Sequence, residues 1–169
     1  MNMFLKQAAI PQATWDNLPP EEVVKRAFNI IRIPQMTIGG FMPLVFGIMA
    51  FFGVMRSKGA VPDPSLAVVC AVIFGVIAGA AIGFAAKVSF DARSAIPQIS
   101  SRTQQVSVLI RSSTLVTALC GTSATFGVVF PTFGVPLLWS VPFFLATPTA
   151  IFLLSASRAD FSKCLRTPA

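Results

Sequence analysis

The 169-residue chain is 54% hydrophobic and only 11% charged, with mean hydropathy +0.76 and net charge +7. A soluble domain carries about 25% charged residues, so this chain lacks the polar material to coat a globule in water. Its charges are clustered between long apolar runs, the pattern of a polytopic membrane protein with one membrane domain.

The first stretch, "MNMFLKQAAIPQATW", carries Lys6 and no acid, but its apolar run is short and Pro11 interrupts it. It does not read as a cleavable signal peptide. Next comes "DNLPPEEVVKRAFNIIRIP", where two prolines followed by Glu21 and Glu22 suit the first turn of a helix. Val24, Ala27, Phe28 and Ile31 fall on one face, with Lys25, Asn29 and Arg32 on another. This predicts an amphipathic interfacial helix within residues 1–34, lying on the membrane surface or against a partner. Pro34 is expected to end it and form the elbow into the first span.

Four runs free of ionised residues follow, at about 35–55, 66–86, 112–130 and 135–157. At a rise of about 1.5 Å per residue each covers a hydrocarbon core of about 30 Å, and each must be helical because lipid offers no partner for a bare amide. The fold class is therefore an all-α membrane protein, four transmembrane helices preceded by the amphipathic helix. Residues 1–34, 35–157 and 158–169 form the N-terminal segment, the transmembrane domain and a basic tail. Between the spans, "RSKGAVPDPS" is a short turn, 87–106 the longest connection, and "PTFG" at 131–134 a tight reversal. Trp139 then falls at an interface, and kinks are expected near Pro142 and Pro148.

Eleven of the thirteen basic residues fall on the side shared by the two termini and the second connection, leaving only Arg56 and Lys58 opposite. The positive-inside rule puts both termini in the mitochondrial matrix or, in a bacterium, in the cytoplasm. That rule and anionic headgroups account for the net charge, and no nucleic-acid partner is expected.

Ala67, Ala71, Gly75, Gly79 and Gly83 stand four residues apart in the second span. In water each helical glycine costs about 1 kcal/mol relative to alanine, whereas between membrane helices small residues permit close backbone approach. Ser113, Thr117, Gly121 and Thr125 form a second ridge in the third span. Either the two ridges face each other within the chain, or at least one docks a helix of another polypeptide.

The chain has no histidine and no tyrosine, and its six acids, Asp16, Glu21, Glu22, Asp63, Asp91 and Asp160, lie outside the spans. An intramembrane carboxylate or histidine is what a proton relay needs. Cys70, Cys120 and Cys164 make no CxxC pair. The expectation is accordingly no enzyme, no catalytic residue, no cofactor-binding residue and no metal site. Lys87, Arg93 and Arg111 are candidate contacts for an anionic phospholipid such as cardiolipin.

With four spans and GxxxG spacing, the chain resembles the protein-translocase family of the mitochondrial inner membrane in topology, but that family's termini lie on the opposite side and its glycine-rich signature is absent. Leu18, Pro19, Arg26, Phe28, Ile30 and Arg32 are spaced as in a helix of the small matrix-side subunit of the cytochrome bc1 complex, a family without membrane helices. Tandem GxxxG ridges are similar to those of small dimer-forming subunits of mitochondrial ATP synthase. The function expected is a non-catalytic accessory subunit of an energy-transducing membrane complex, a respiratory complex or ATP synthase, whose partners are other membrane subunits and lipid. The alternatives are a small transporter or channel with a hydroxyl-lined path along the third span, and an assembly or membrane-shaping factor.

Overall fold

The computed structural model describes residue 15 and residues 18–56, 64–99, 101–132 and 136–166. Lys6, Asp16, Lys58, Asp63, most of the first turn and the reversal at 133–135 lie outside the described residues, as do the side chains of Arg56, Cys164 and Arg166. Every described element is helical. Helix α1 is Pro20–Met36, a π-helical turn is Thr37–Phe41, and α2 is Met42–Arg56. Then come α3, Pro64–Ala95, a 3-10 turn at Ile96–Gln98, and α4, Arg102–Thr132. A second 3-10 turn, Leu137–Ser140, leads into α5, Val141–Leu154, and α6, Arg158–Arg166, closes the chain. Four helical stretches are long and apolar enough to cross a membrane: Pro20–Phe52, Ala67–Gln98, Arg102–Pro131 and Leu138–Lys163.

Pro34 does not make an elbow. The helix passes through it, and the irregularity comes later, in the π turn "TIGGF". Breaking the helix in apolar surroundings would strand several amides, a larger cost than one missing bond. The Thr37 amide instead bonds the carbonyls of Ile33 and Pro34, and Thr37 Oγ1 donates to Ile33 O at 3.0 Å. The wider turn ends where Met42 N–H reaches back to Thr37 O, just before Pro43, whose ring would otherwise crowd the carbonyl one turn earlier.

The long second connection expected at 87–106 is also mostly helix. α3 runs on to Ala95 and α4 starts at Arg102, so only a short corner separates them. Apolar runs end at the first charge, but helices do not. Lys87 and Asp91 form an i,i+4 pair at 3.3 Å on the extension of α3. Buried Gln105 closes the corner by donating through Nε2 to the carbonyls of Ile99 (2.6 Å) and Ile96 (3.3 Å). At 32 and 31 residues, α3 and α4 are each about 47 Å long, well beyond a bilayer core.

Helix α4 is the axis of the molecule: 44% of its most apolar stretch is buried, against 11% in α1–α2. Three core clusters lie along it. Val106 and Leu109 meet Val23, Ala27 and Ile31 of α1 and Phe161 of α6. Val116 and Cys120 meet Ala85 of α3 and Ala150 and Ile151 of α5. Phe130 meets Ala67, with Phe74 and Phe143 packed around it; the Phe130 and Phe143 rings stand edge to face at 4.8 Å.

The first cluster shows what α1 and the tail pack against. The apolar stripe of α1 is covered by the chain itself, with Val23, Ala27 and Ile31 at its buried centre and Val24 and Phe28 half-buried at its margin. The basic tail is a helix, α6, whose Phe161 fills the space between α1 and α4. The basic parts of α1, α3, α4 and α6 thus gather at one end of the bundle.

Candidate functional site

The five-residue ridge of α3 divides in two. Ala67 is buried and Ala71 half-buried, whereas Gly75, Gly79 and Gly83 are exposed. A Cβ added at any of those three glycines would meet nothing within 4 Å. The reason is helical geometry: four residues turn the helix by about 400°, so each step along the ridge rotates about 40° away from its start. The face that α3 packs inward follows a different line, through Ala67, Ala78, Ala85 and Ser89. The glycines wind out beside exposed Val72, Val76 and Phe84.

The ridge of α4 drifts in the same way. Ser113 and Thr117 are buried, Gly121 is half-buried and Thr125 is exposed. The two ridges therefore do not face each other along their length. Several hydroxyls of α4 are spent on their own helix: Thr114, Thr117 and Thr122 donate to Ile110, Ser113 and Leu119 carbonyls at 2.9, 2.7 and 2.7 Å. Others tie helices together. Thr147 of α5 donates to Cys120 O at 3.2 Å, and Ser123 of α4 donates to Phe143 O at 3.2 Å.

Glycines that the spacing does not single out make the close approaches inside the bundle. A Cβ on Gly127 would stand 2.8 Å from the Phe144 ring, and one on Gly39, in the π turn, 3.2 Å from Ile151 Cδ1. Gly121, on the predicted ridge, is of this kind too, at 2.6 Å from Ile38 Cγ2.

The polar groups concentrate where α5 ends and α6 begins. Ser89 of α3 donates to Leu154 O at 2.5 Å, Arg93 donates to Ser155 O at 3.1 Å, and Ser113 Oγ accepts the Ala156 N–H at 3.0 Å. These take up backbone groups that the end of α5 leaves over. Ser157 and Asp160 then form a capping box: Asp160 Oδ2 accepts the Ser157 N–H at 2.9 Å while Ser157 Oγ accepts the Asp160 N–H at 3.3 Å. Asp160 also pairs with Arg93 at 3.5 Å. The motif "SRAD" at 157–160 carries that helix-start signal in sequence, hidden among basic residues that read as a tail.

Of the three candidate lipid contacts, Lys87 pairs with Asp91 and Arg93 with Asp160, on separate faces of α3, while Arg111 is half-buried on α4. Among the described residues no group of three or more His, Cys, Asp or Glu could hold a metal ion.

Beside the polar corner, α1 and the π turn part from α5 to leave a groove of about 320 Å3, lined by Phe28, Gln35, Met36 and Gly39 on one side and Pro148 to Arg158 on the other. Compared with models of known protein families, with curated proteins and with solved structures, the chain matches none.

Proposed function

We propose that this chain is a non-catalytic accessory subunit of a larger membrane assembly, and that it grips a transmembrane helix of a partner along Gly75, Gly79 and Gly83. The observation that carries the reading is the open glycine face of α3. Three glycines in a helix oppose its formation, and among the described residues none of the three packs against a neighbour. A groove of that kind admits a second backbone closely enough for dispersion and Cα–H···O contacts, the forces that join helices in lipid. The assembly we favour is an energy-transducing complex of the mitochondrial inner membrane, a respiratory complex or ATP synthase, with both termini in the matrix. That setting rests on the distribution of basic residues and on the spacing at 18–32.

The test is purification in mild detergent, with native-gel sizing and mass spectrometry of the band. The wild-type chain is expected in a high-mass complex with other membrane subunits. Gly75→Leu with Gly79→Leu should release it as a folded single chain, with helix content and melting temperature kept. A lone homo-oligomer that passes solute in liposomes would overturn the reading, as would a double variant that stays in the complex.

A further inference from the structure

The groove between α1 and α5 has the chemistry of a ligand site. Its floor is apolar, formed by Gly39, Pro148 and Ile151, and it opens between Met36 and Phe152, which are 63% and 86% exposed. Its upper end, toward the basic end of the bundle, carries unspent donors. Ser155 is only 8% exposed, and its Oγ is buried without a hydrogen-bond partner among the described residues. The Gln35 Nε2 amide is likewise buried and unpartnered. The backbone on either side of the Ser155 hydroxyl is fully engaged, by Arg93 at its own carbonyl and by Ser113 at the Ala156 amide, so the side chain is held in place while left unpaired. Arg158 completes this end. Its guanidinium lies over the Phe28 ring at 5.0 Å, a contact that uses none of its N–H donors.

Leaving a buried polar group unpaired is costly, and Ser155 and Gln35 both line this groove, so a ligand seated there would supply the acceptor their side chains lack. The acceptor must be an oxygen-rich group, negatively charged to suit Arg158, joined to an apolar stem that fits the floor below. The geometry points to an anionic phospholipid. Its phosphate meets Arg158, its glycerol ester oxygens accept from Ser155 and Gln35, and one acyl chain lies over Gly39 and Ile151 before leaving between Met36 and Phe152. The volume is at the small end for ligand pockets, which suits a ligand held by its upper part with the remainder in the bilayer. Gly39 matters here because a side chain would fill the floor. The π turn turns that glycine toward α5, and Ile151 already stands 3.2 Å from where its Cβ would be.

This assignment requires a bilayer but no partner helix, so it stands or falls separately from the docking role of Gly75 and Gly79. The test uses the full chain, delipidated in detergent and titrated with phosphatidylglycerol, phosphatidylcholine or inorganic phosphate. Retention is read by native mass spectrometry and unfolding by circular dichroism. Phosphatidylglycerol should be retained about tenfold more tightly than phosphatidylcholine, and Arg158→Gln should erase that difference. Ser155→Ala should weaken both lipids by about three- to tenfold. Without lipid, Ser155→Ala should melt no lower than wild type, since it removes an unpaired oxygen and keeps the backbone bonds on both sides. Equal retention of the two lipids by wild type, or of phosphatidylglycerol by wild type and Arg158→Gln, would overturn the assignment. Inorganic phosphate protecting as well as the lipid would replace it with a free-anion site, and a lower lipid-free melting temperature for Ser155→Ala would make that residue a packing group and sink it.

Discussion

The same residue type does opposite things on two sides of this molecule. Along α4 and the π turn, Gly121, Gly127 and Gly39 stand where another side chain already presses, and a single added carbon would come within 2.6 to 3.2 Å of it. Along the outer face of α3, Gly75, Gly79 and Gly83 stand in the open. In the first group glycine is required by this chain's own close packing. In the second nothing among the described residues requires it. Small-residue spacing in a helix therefore does not reveal which of the two roles a glycine plays; the neighbour it meets does.

Substitutions can break this contrast or sharpen it. The largest effect is expected for Gly127→Leu, which drives a branched side chain into the Phe144 ring. Overpacking of this kind costs about 1–3 kcal/mol and should lower the melting temperature of the detergent-solubilised chain. If the variant melts like wild type, the α4–α5 seam is not closely packed and the contrast fails. Gly121→Ala should cost less, about 0.5–1.5 kcal/mol, because the opposing atom is a methyl of Ile38 that can leave by a strained rotamer. Combining it with Ile38→Ala should recover part of that loss, so the two changes will be non-additive in a double-mutant cycle. The smallest effect belongs to Gly83→Leu, expected to leave the isolated chain within about 0.5 kcal/mol of wild type. A large fall in its melting temperature would show that the outer face is packed after all.

The four apolar helices are legible in the sequence because composition and run length report them directly. Their ends are not. An apolar run stops at Lys87, while the helix continues through an ion pair with Asp91 to Ala95. The amphipathic stripe on α1 is visible, but periodicity says only that a face wants cover. The placement of Phe161 and Val106 shows that the chain supplies that cover itself. Pro34 reads locally as a break, and the bonds of Thr37 to the preceding carbonyls decide otherwise. The ridge of five small residues reads as one surface only if the rotation of about 40° at each step is ignored. Over four steps that rotation separates Ala67 from Gly83 by about 160° around the helix, a divergence already contained in the spacing. The groove beside α5 is beyond sequence reasoning, because Gln35 and Ser155 are far apart in the chain and come to line one groove only when α1 and α5 meet across the π turn.

The length of α3 and α4 fixes more than the size of the bundle. With Lys87, Asp91 and Arg93 carried on the extension of α3 beyond its apolar portion, sinking that end toward the bilayer centre would draw charge into hydrocarbon. In a bilayer those ionised residues would resist displacement in that direction. A companion helix seated on Gly75, Gly79 and Gly83 would take its vertical register from that anchor, so the chain would act as a depth gauge for whatever it holds.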